Sequence, residues 1–255
     1  MVAVALVAGA DALVAVRLGV AMTALQTSIG ALNDLVDAPR DAGRVPPKPI
    51  PSGVVSPGAA RVVVVVAAVV GLSLAAPSGL ATLVVAGLVL AIGYGYDLAF
   101  KGTAWSWLPF AVGIPVLPVF AWLGATGGVP ASFAILLPTA VVAGSGLAVG
   151  NARADIERDA SAGVDSVAIR LGLDRAWTVN AALLSVVVLM ALVTLGQAAS
   201  PVPQIGVVAA AVVIASGVVI GRLGDATRRE RAWELEAIGV GLLAAAWLAG
   251  ARPGI

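Results

Sequence analysis

Eight runs of almost unbroken apolar residues organise this chain, near 12–32, 58–76, 80–96, 107–124, 131–150, 177–197, 203–221 and 233–250. Each holds 17 to 21 residues, and at ~1.5 Å of rise per residue such a helix crosses a hydrocarbon layer about 30 Å thick. A segment inside lipid must satisfy its backbone hydrogen bonds without water, which leaves helices or closed β-barrels. Barrel strands alternate apolar and polar residues, and these runs do not. The expected fold is therefore an all-α integral membrane protein. Residues 2–10 read as the end of a further span interrupted at Asp11, so eight to nine transmembrane helices are expected. That segment has no basic leader, so a cleaved signal peptide is not expected.

Composition narrows the chemistry. Of the 255 residues, 60% are hydrophobic and 11% are charged, against roughly a quarter charged in a soluble domain. Such a chain cannot cover itself with a polar shell, and its partner is the lipid bilayer. A net charge of +1 gives no reason to expect a nucleic-acid partner. The absence of Cys and His removes disulfides, zinc sites, haem-binding histidines and the commonest catalytic bases. Chemistry is left to carboxylates, amides, hydroxyls, cationic side chains or a bound ion.

The connectors fall into two classes. Those at 77–79, 124–130 and 198–203 are short and uncharged, whereas those at 33–57, 97–106, 151–176 and 222–232 are longer and polar. With its flanks, the second set holds every Lys and Arg except Arg17 and Arg252. That asymmetry places the polar loops in the cytoplasm. Every carboxylate except Asp11 lies in or beside the same loops, so the functional end is expected there.

Two acidic clusters stand out. Asn33-Asp34-Leu35-Val36-Asp37-Ala38-Pro39-Arg40-Asp41 closes the first long span, and Asn151 to Asp159 closes the fifth. On a continuing helix Asp34, Asp37 and Asp41 share one face, as do Asn151, Asp155 and Asp159. Pro39 opposes such continuation in the first cluster, because it lacks an N–H and crowds the carbonyl of Leu35. One reading is ordinary solvated charge pairing loosely with Arg40, Arg44, Arg153 and Arg158. The other is a cation site, since close carboxylates repel unless neutralised. Ligands that are all oxygen favour a hard cation, most simply Mg2+. Mg2+ commonly shares its shell with phosphate, so a diphosphate fits, with Arg44, Lys48, Lys101 and Arg158 on the same face to clamp it.

With these residues in place, the chain resembles the UbiA superfamily of intramembrane prenyltransferases. The family's N-D-x-x-D-x-x-x-D motif and its R-P-I-P-S-G-like tail resemble Asn33 to Asp41 and Lys48-Pro49-Ile50-Pro51-Ser52-Gly53. Lys48 stands where the family usually has Arg. The second motif, D-x-x-x-D with a later Gly and Leu-Gly, resembles Asp155, Asp159, Gly163 and Leu171-Gly172. Between them, Tyr96 to Lys101 resembles the family's tyrosine-to-lysine loop.

The resemblance implies a single domain over residues 1–255, with its helices around a central cavity and a cytoplasmic-facing active site. It implies metal-binding and catalytic roles for Asp34, Asp37, Asp155 and Asp159, with Asp41 as a further Mg2+ ligand. Asn33 and Asn151 accompany them, and Lys101 matches a basic residue that contacts the diphosphate. The implied reaction takes a prenyl diphosphate donor, ionises it to an allylic cation, and passes the prenyl group to an aromatic or other lipophilic acceptor. Tyr94, Tyr96, Phe100, Trp105, Trp107 and Phe110 are placed to face that cation. An interfacial aromatic belt accounts equally well for Trp105 and Trp107. A membrane terpene cyclase of the same fold uses the same aspartates. A divalent-cation transporter would need ionisable groups at mid-span, where these runs carry almost none.

Overall fold

The computed structural model describes residues 1–43, 46–195 and 201–250. All eight apolar runs are helices: α2 (Ala12–Asp37), α3 (Pro57–Ala75), α4 (Leu80–Gly95), α5 (Leu108–Thr126), α6 (Phe133–Ala154), α9 (Leu173–Leu195), α10 (Pro201–Leu223) and α11 (Ala226–Gly250). Each is long and apolar enough to cross a membrane. Three short α-helices accompany them: α1 (Val2–Val7), α7 (Ile156–Ser161) and α8 (Val167–Leu171). No strand occurs among the described residues.

Local chemistry sets the boundaries. The Asp11 carboxylate accepts the N–H of Val14 at 2.9 Å and starts α2, which explains the interruption that separates α1 from it. Ser56 caps α3 in the same way through Ala59, at 3.1 Å, and Pro57 follows at the first helical position, where its missing N–H costs nothing. The Asp225 carboxylate accepts from the Arg228 N–H at 2.9 Å. α11 therefore begins at Ala226 and not near 233, and its first turns carry charge. α2 stops at Asp37, two residues before Pro39, whose missing N–H removes the bond that would continue the helix from the Leu35 carbonyl. α6 runs through Pro138.

The packing divides into two compact units. The first comprises Met1–Ala99 with Val116–Val129, and the second comprises Phe100–Pro115 with the described part of Pro130–Ile255. The first unit centres on Ala15, Leu18, Ala21, Met22, Leu25, Ala86, Val89, Leu90 and Phe120, all buried. Gly71 lets α3 close on α2, since a Cβ there would stand 2.6 Å from Leu25 Cδ2. Arg17 donates to the Leu74 carbonyl at 3.2 Å and to Ser78 Oγ at 2.8 Å, supplying a donor to the carbonyl end of α3. In the second unit Gly144 admits the backbone of Phe110, and Gly217 and Gly239 bring α10 and α11 together.

The outward faces are apolar. Val62, Val65, Val66 and Val69 on α3 are each more than half exposed. A run of bare valines of this kind is unfavourable in water and neutral in lipid, so the solvent of this bundle is the bilayer.

Candidate active site

The last turn of α2 carries Asn33, Asp34 and Asp37, and then the helix turns off. The Asp37 carbonyl accepts both the Arg40 and Asp41 N–H groups, at 2.8 and 2.9 Å. Asp41 thus reaches the cluster through a turn. The helix ends before Asp41, in keeping with Pro39's opposition to its continuation, so the three aspartates do not share one continuous helical face. Lys48 gathers the cluster instead: its Nζ lies 2.8 Å from Asp34 Oδ1 and 3.1 Å from Asp41 Oδ2. A folded turn presents it, with Ser52 N–H bonded to the Lys48 carbonyl at 3.1 Å and Val55 N–H to the Pro49 carbonyl at 3.0 Å. Gly53 supplies the left-handed residue this turn needs, at φ +77°. The hydrogen bond to Asp34 raises the Lys48 ammonium above the ordinary lysine value; partial burial opposes it, and Asp41 reinforces it. Arg44 lies outside the described residues.

Asn33 has a partner that the sequence reading passed over. Its Nδ2 donates to Asp97 Oδ1 at 2.7 Å. Asp97 is only 3% exposed and sits in a π-helical turn, Tyr96–Phe100, that follows α4. Tyr94 is fixed nearby. Ser28 gives its only proton to the Val64 carbonyl at 2.6 Å, so the Tyr94 hydroxyl is the donor in its 2.6 Å bond to Ser28 Oγ. The phenol of Tyr94 is thereby tied to α2, and its ring packs on the core of the first unit. Tyr96 is half-buried in the π-turn.

In the second unit Lys101 is half-buried at the start of the loop to α5. Trp105 and Trp107 stack there with ring centroids 6.3 Å apart, and Trp105 is 60% exposed. That geometry suits an interfacial belt. The second motif straddles a helix break. α6 ends at Ala154, Asp155 adopts φ −96° and ψ 4°, a sparsely populated region in which active-site residues often sit, and α7 follows. The i→i+4 ladder survives the break, since Asp155 N–H meets the Asn151 carbonyl at 3.3 Å and Asp159 N–H meets that of Asp155 at 2.8 Å. Asn151, Asp155 and Asp159 therefore stay one turn apart, all half-buried. Arg158 pairs with Asp155 at 2.8 Å. Gly163 and Gly172, the glycines of the motif's tail, occupy φ +66° and +75°, which explains why this segment needs glycine there.

Beneath the second motif lies a buried polar cluster. Asn180 Nδ2 donates to the Gly146 carbonyl at 2.9 Å and to Glu236 Oε2 at 3.0 Å. Gly150 leaves room for both groups: a Cβ there would stand 2.8 Å from Asn180 Nδ2 and 3.0 Å from Glu236 Oε2. Trp233 Nε1 donates to the Leu147 carbonyl at 3.0 Å. Arg153 Nε donates to that of Leu173, also at 3.0 Å. Glu236 sits at 3% exposure, and its signal was present in the chain. It shares the buried face of α11 with Ala232, Gly239, Val240, Leu243 and Trp247.

The profile of the UbiA prenyltransferase family matches residues 1–248. The chain belongs to that family. Among curated proteins none matches. Among solved structures, a UbiA homologue from Aeropyrum pernix K1 superposes with a TM-score of 0.80 at 19% identity, covering 96% of this chain and 93% of that one. A digeranylgeranylglyceryl phosphate synthase superposes at 0.73 with 15% identity, covering 97% and 90%. A UbiA homologue from Archaeoglobus fulgidus bound to GPP and Mg2+ superposes at 0.66 with 17% identity, covering 96% and 93%. At such identities the likeness establishes the fold.

The residues of this UbiA-family chain fit a hard divalent cation. The donors are oxygens throughout, as Mg2+ prefers. In each motif a carboxylate already holds a positive group: the Lys48 ammonium for Asp34 and Asp41, the Arg158 guanidinium for Asp155. Each carboxylate thus accepts a positive charge at contact distance from a side chain of its own segment. No three carboxylates converge as a preformed metal cluster among the described residues.

Proposed function

We propose that this protein is a Mg2+-dependent intramembrane prenyltransferase that moves a polyprenyl group from its diphosphate to an aromatic or other lipophilic acceptor. The observation that carries the reading is the Lys48 ammonium lodged between Asp34 and Asp41, in a chain of the UbiA prenyltransferase family. Asp34, Asp37 and Asp41 hold one ion, with Asn33 beside them; Asp155 and Asp159 hold a second, with Asn151 beside them. Bound Mg2+ supplies the positive charge that makes diphosphate a competent leaving group. In this reading Lys48 and Arg158 leave their aspartates when the donor binds and clamp phosphate oxygens, joined by Arg44 and Lys101. The bond between the allylic carbon and the diphosphate oxygen breaks, and the electron pair leaves with the diphosphate. Tyr96, Phe100 and Phe110 stabilise the cation by their π-faces, and the Tyr94 phenol is held to α2 through Ser28. The apolar interior keeps water from the cation until the acceptor attacks, its displaced proton passing to a carboxylate, to the released diphosphate or to water. In this reading residues 1–255 are a single prenyltransferase domain whose active site faces the cytoplasm.

The test is diphosphate release from geranylgeranyl or farnesyl diphosphate by the purified protein in lipid, with and without Mg2+ and with acceptors added singly. Mg2+-dependent release that Asp34→Ala and Asp155→Ala both abolish is the expected result. Release without any acceptor, giving a cyclised hydrocarbon, would move the assignment to a terpene cyclase. No Mg2+-dependent binding of any prenyl diphosphate would overturn the enzyme reading.

A further inference from the structure

We infer that Asp97 is a positioning residue for the first metal motif: it fixes which face of the Asn33 amide that motif can use. The inference rests on the metal-binding reading of Asn33 and Asp34 above.

A carboxylate at 3% exposure, beside a membrane-embedded helix, is costly unless a specific partner repays the desolvation. For Asp97 that partner includes Asn33, whose Nδ2 stands 2.7 Å from Oδ1. An ionised carboxylate only accepts hydrogen bonds. The structure turns the Asn33 Nδ2 to an accepting oxygen of Asp97, and that acceptor holds the amide in this orientation, since a flipped amide would set oxygen against oxygen there. With the NH2 group turned to Asp97, Oδ1 occupies the other arm of the amide. Oxygen is the donor atom a hard cation takes, and an NH2 group in its place repels it.

The backbone is built to make this contact. α2 and α4 run side by side in register, and three contacts mark the register. A Cβ on Gly93 would lie 2.4 Å from Ile29 Cδ1, so glycine there allows the two helices their close approach. Tyr94 bonds Ser28. One turn further along both helices, Asp97 meets Asn33. The π-turn at Tyr96–Phe100 widens the helix where Asp97 enters, and such insertions recur at functional sites. Asn33 and Asp37 stand four residues apart on α2, so the free arm of the amide lies on the same helix face as the Asp37 carboxylate.

The experiment uses the full chain in lipid nanodiscs and reads Mn2+ binding by electron paramagnetic resonance, with no donor present. Variants are Asp97→Asn, Asp97→Glu, Asn33→Ala and the pair Asn33→Ala/Asp97→Asn, each also followed by thermal unfolding. Outer-shell partners of metal ligands typically alter affinity by about 10–100-fold. Asp97→Asn is expected to weaken Mn2+ binding within that range at unchanged unfolding temperature, because its amide permits the Asn33 flip. Asp97→Glu is expected to restore part of the affinity. The double variant is expected to bind no more weakly than Asn33→Ala alone. Additive losses in the double variant would make Asp97 an independent ligand and overturn the positioning role. Wild-type Mn2+ affinity in Asp97→Asn would overturn it as well, and so would an affinity loss that only accompanies unfolding. Asp34→Ala separates the two levels: if wild type binds no Mn2+ that Asp34→Ala loses, the metal reading itself fails, and this inference falls with it.

Discussion

Gly144 supports the sharpest stability prediction. It lies on α6, two turns before Asn151, where that helix crosses the start of α5. A methyl group there would stand 2.3 Å from the Phe110 carbonyl oxygen, 2.8 Å from its carbon and 3.1 Å from Ala111 Cα. All three are backbone atoms, so no rotamer change relieves the contact. Ordinary van der Waals contact begins near 3.4 Å, and the two helices must part by roughly 1 Å along that direction to reach it. Replacing glycine by alanine inside a helix favours the helix by about 1 kcal/mol. Overpacking of a tight interface costs about 1–3 kcal/mol, at the upper end where backbone must move. Gly144→Ala should therefore destabilise the protein by about 1–2 kcal/mol. Gly87→Ala is the matched control: that position is also helical, and nothing lies within 4 Å of the place its new methyl group would take, so a gain of about 0.5–1 kcal/mol is expected. Reversible unfolding in mixed micelles measures both. Equal shifts for the two variants, or a stabilised Gly144→Ala, would refute the argument that backbone contact and not propensity governs α6.

Other consequences follow from the charged groups. Lys48→Met removes two partly exposed ion pairs, each worth up to about 1 kcal/mol. Mn2+ binding without donor should tighten by up to about 30-fold, while Mg2+-dependent donor binding weakens; a loss of both would contradict the stand-in role. Because the folded Lys48 value is raised above 10.5, its contribution is complete below that pH and is lost only as pH climbs through the folded value. The stability difference between wild type and Lys48→Met should therefore stay flat from about pH 7 to pH 9, and a difference that fades within that window would count against the pairing. Glu236→Gln keeps an acceptor for Asn180 and should change stability little, whereas Glu236→Leu strands a buried donor and should cost about 1–3 kcal/mol. The reverse order in a denaturant or steric-trapping measurement would show that the Asn180 bond is not what holds Glu236.

The spans were legible because lipid imposes one rule on every residue it touches, and a run of seventeen apolar residues satisfies that rule almost anywhere in a chain. Their ends were less legible, since ends depend on single capping groups. Asp225 started α11 seven residues before its apolar run, and Pro39 ended α2 inside the motif. The two aspartate clusters could be read for the same reason as the spans: their spacing is local. Asn33 meeting Asp97 could not, because it joins residues 64 positions apart and depends on the approach that Gly93 permits. Asn180 meeting Glu236 across 56 positions was hidden likewise. Glu236 looked like one more charge beside a loop until the helix placed it on the same face as Gly239 and Leu243.

The cationic stand-ins connect these local and long-range facts. Asp34 and Asp41 could not lie this close in a membrane-edge environment as bare charges, so the chain must bring a cation to them or keep them apart. It brings one on a turn shaped by Pro49, Gly53 and the Lys48 carbonyl, only a few residues downstream. An ammonium satisfies charge but not coordination, because it donates hydrogen bonds where a metal accepts oxygen lone pairs. It is also tethered, so in the proposed reading it would stay within reach of an anion that came with a metal. In the second motif Arg158 stands in the same relation to Asp155, three residues along the chain. A lysine suits such an exchange better than an arginine, since its single point charge leaves two carboxylates with less geometric loss than a bidentate fork. The lysine at residue 48, where the resembling motif usually has arginine, is thus the residue whose bonds bear most directly on the proposed site.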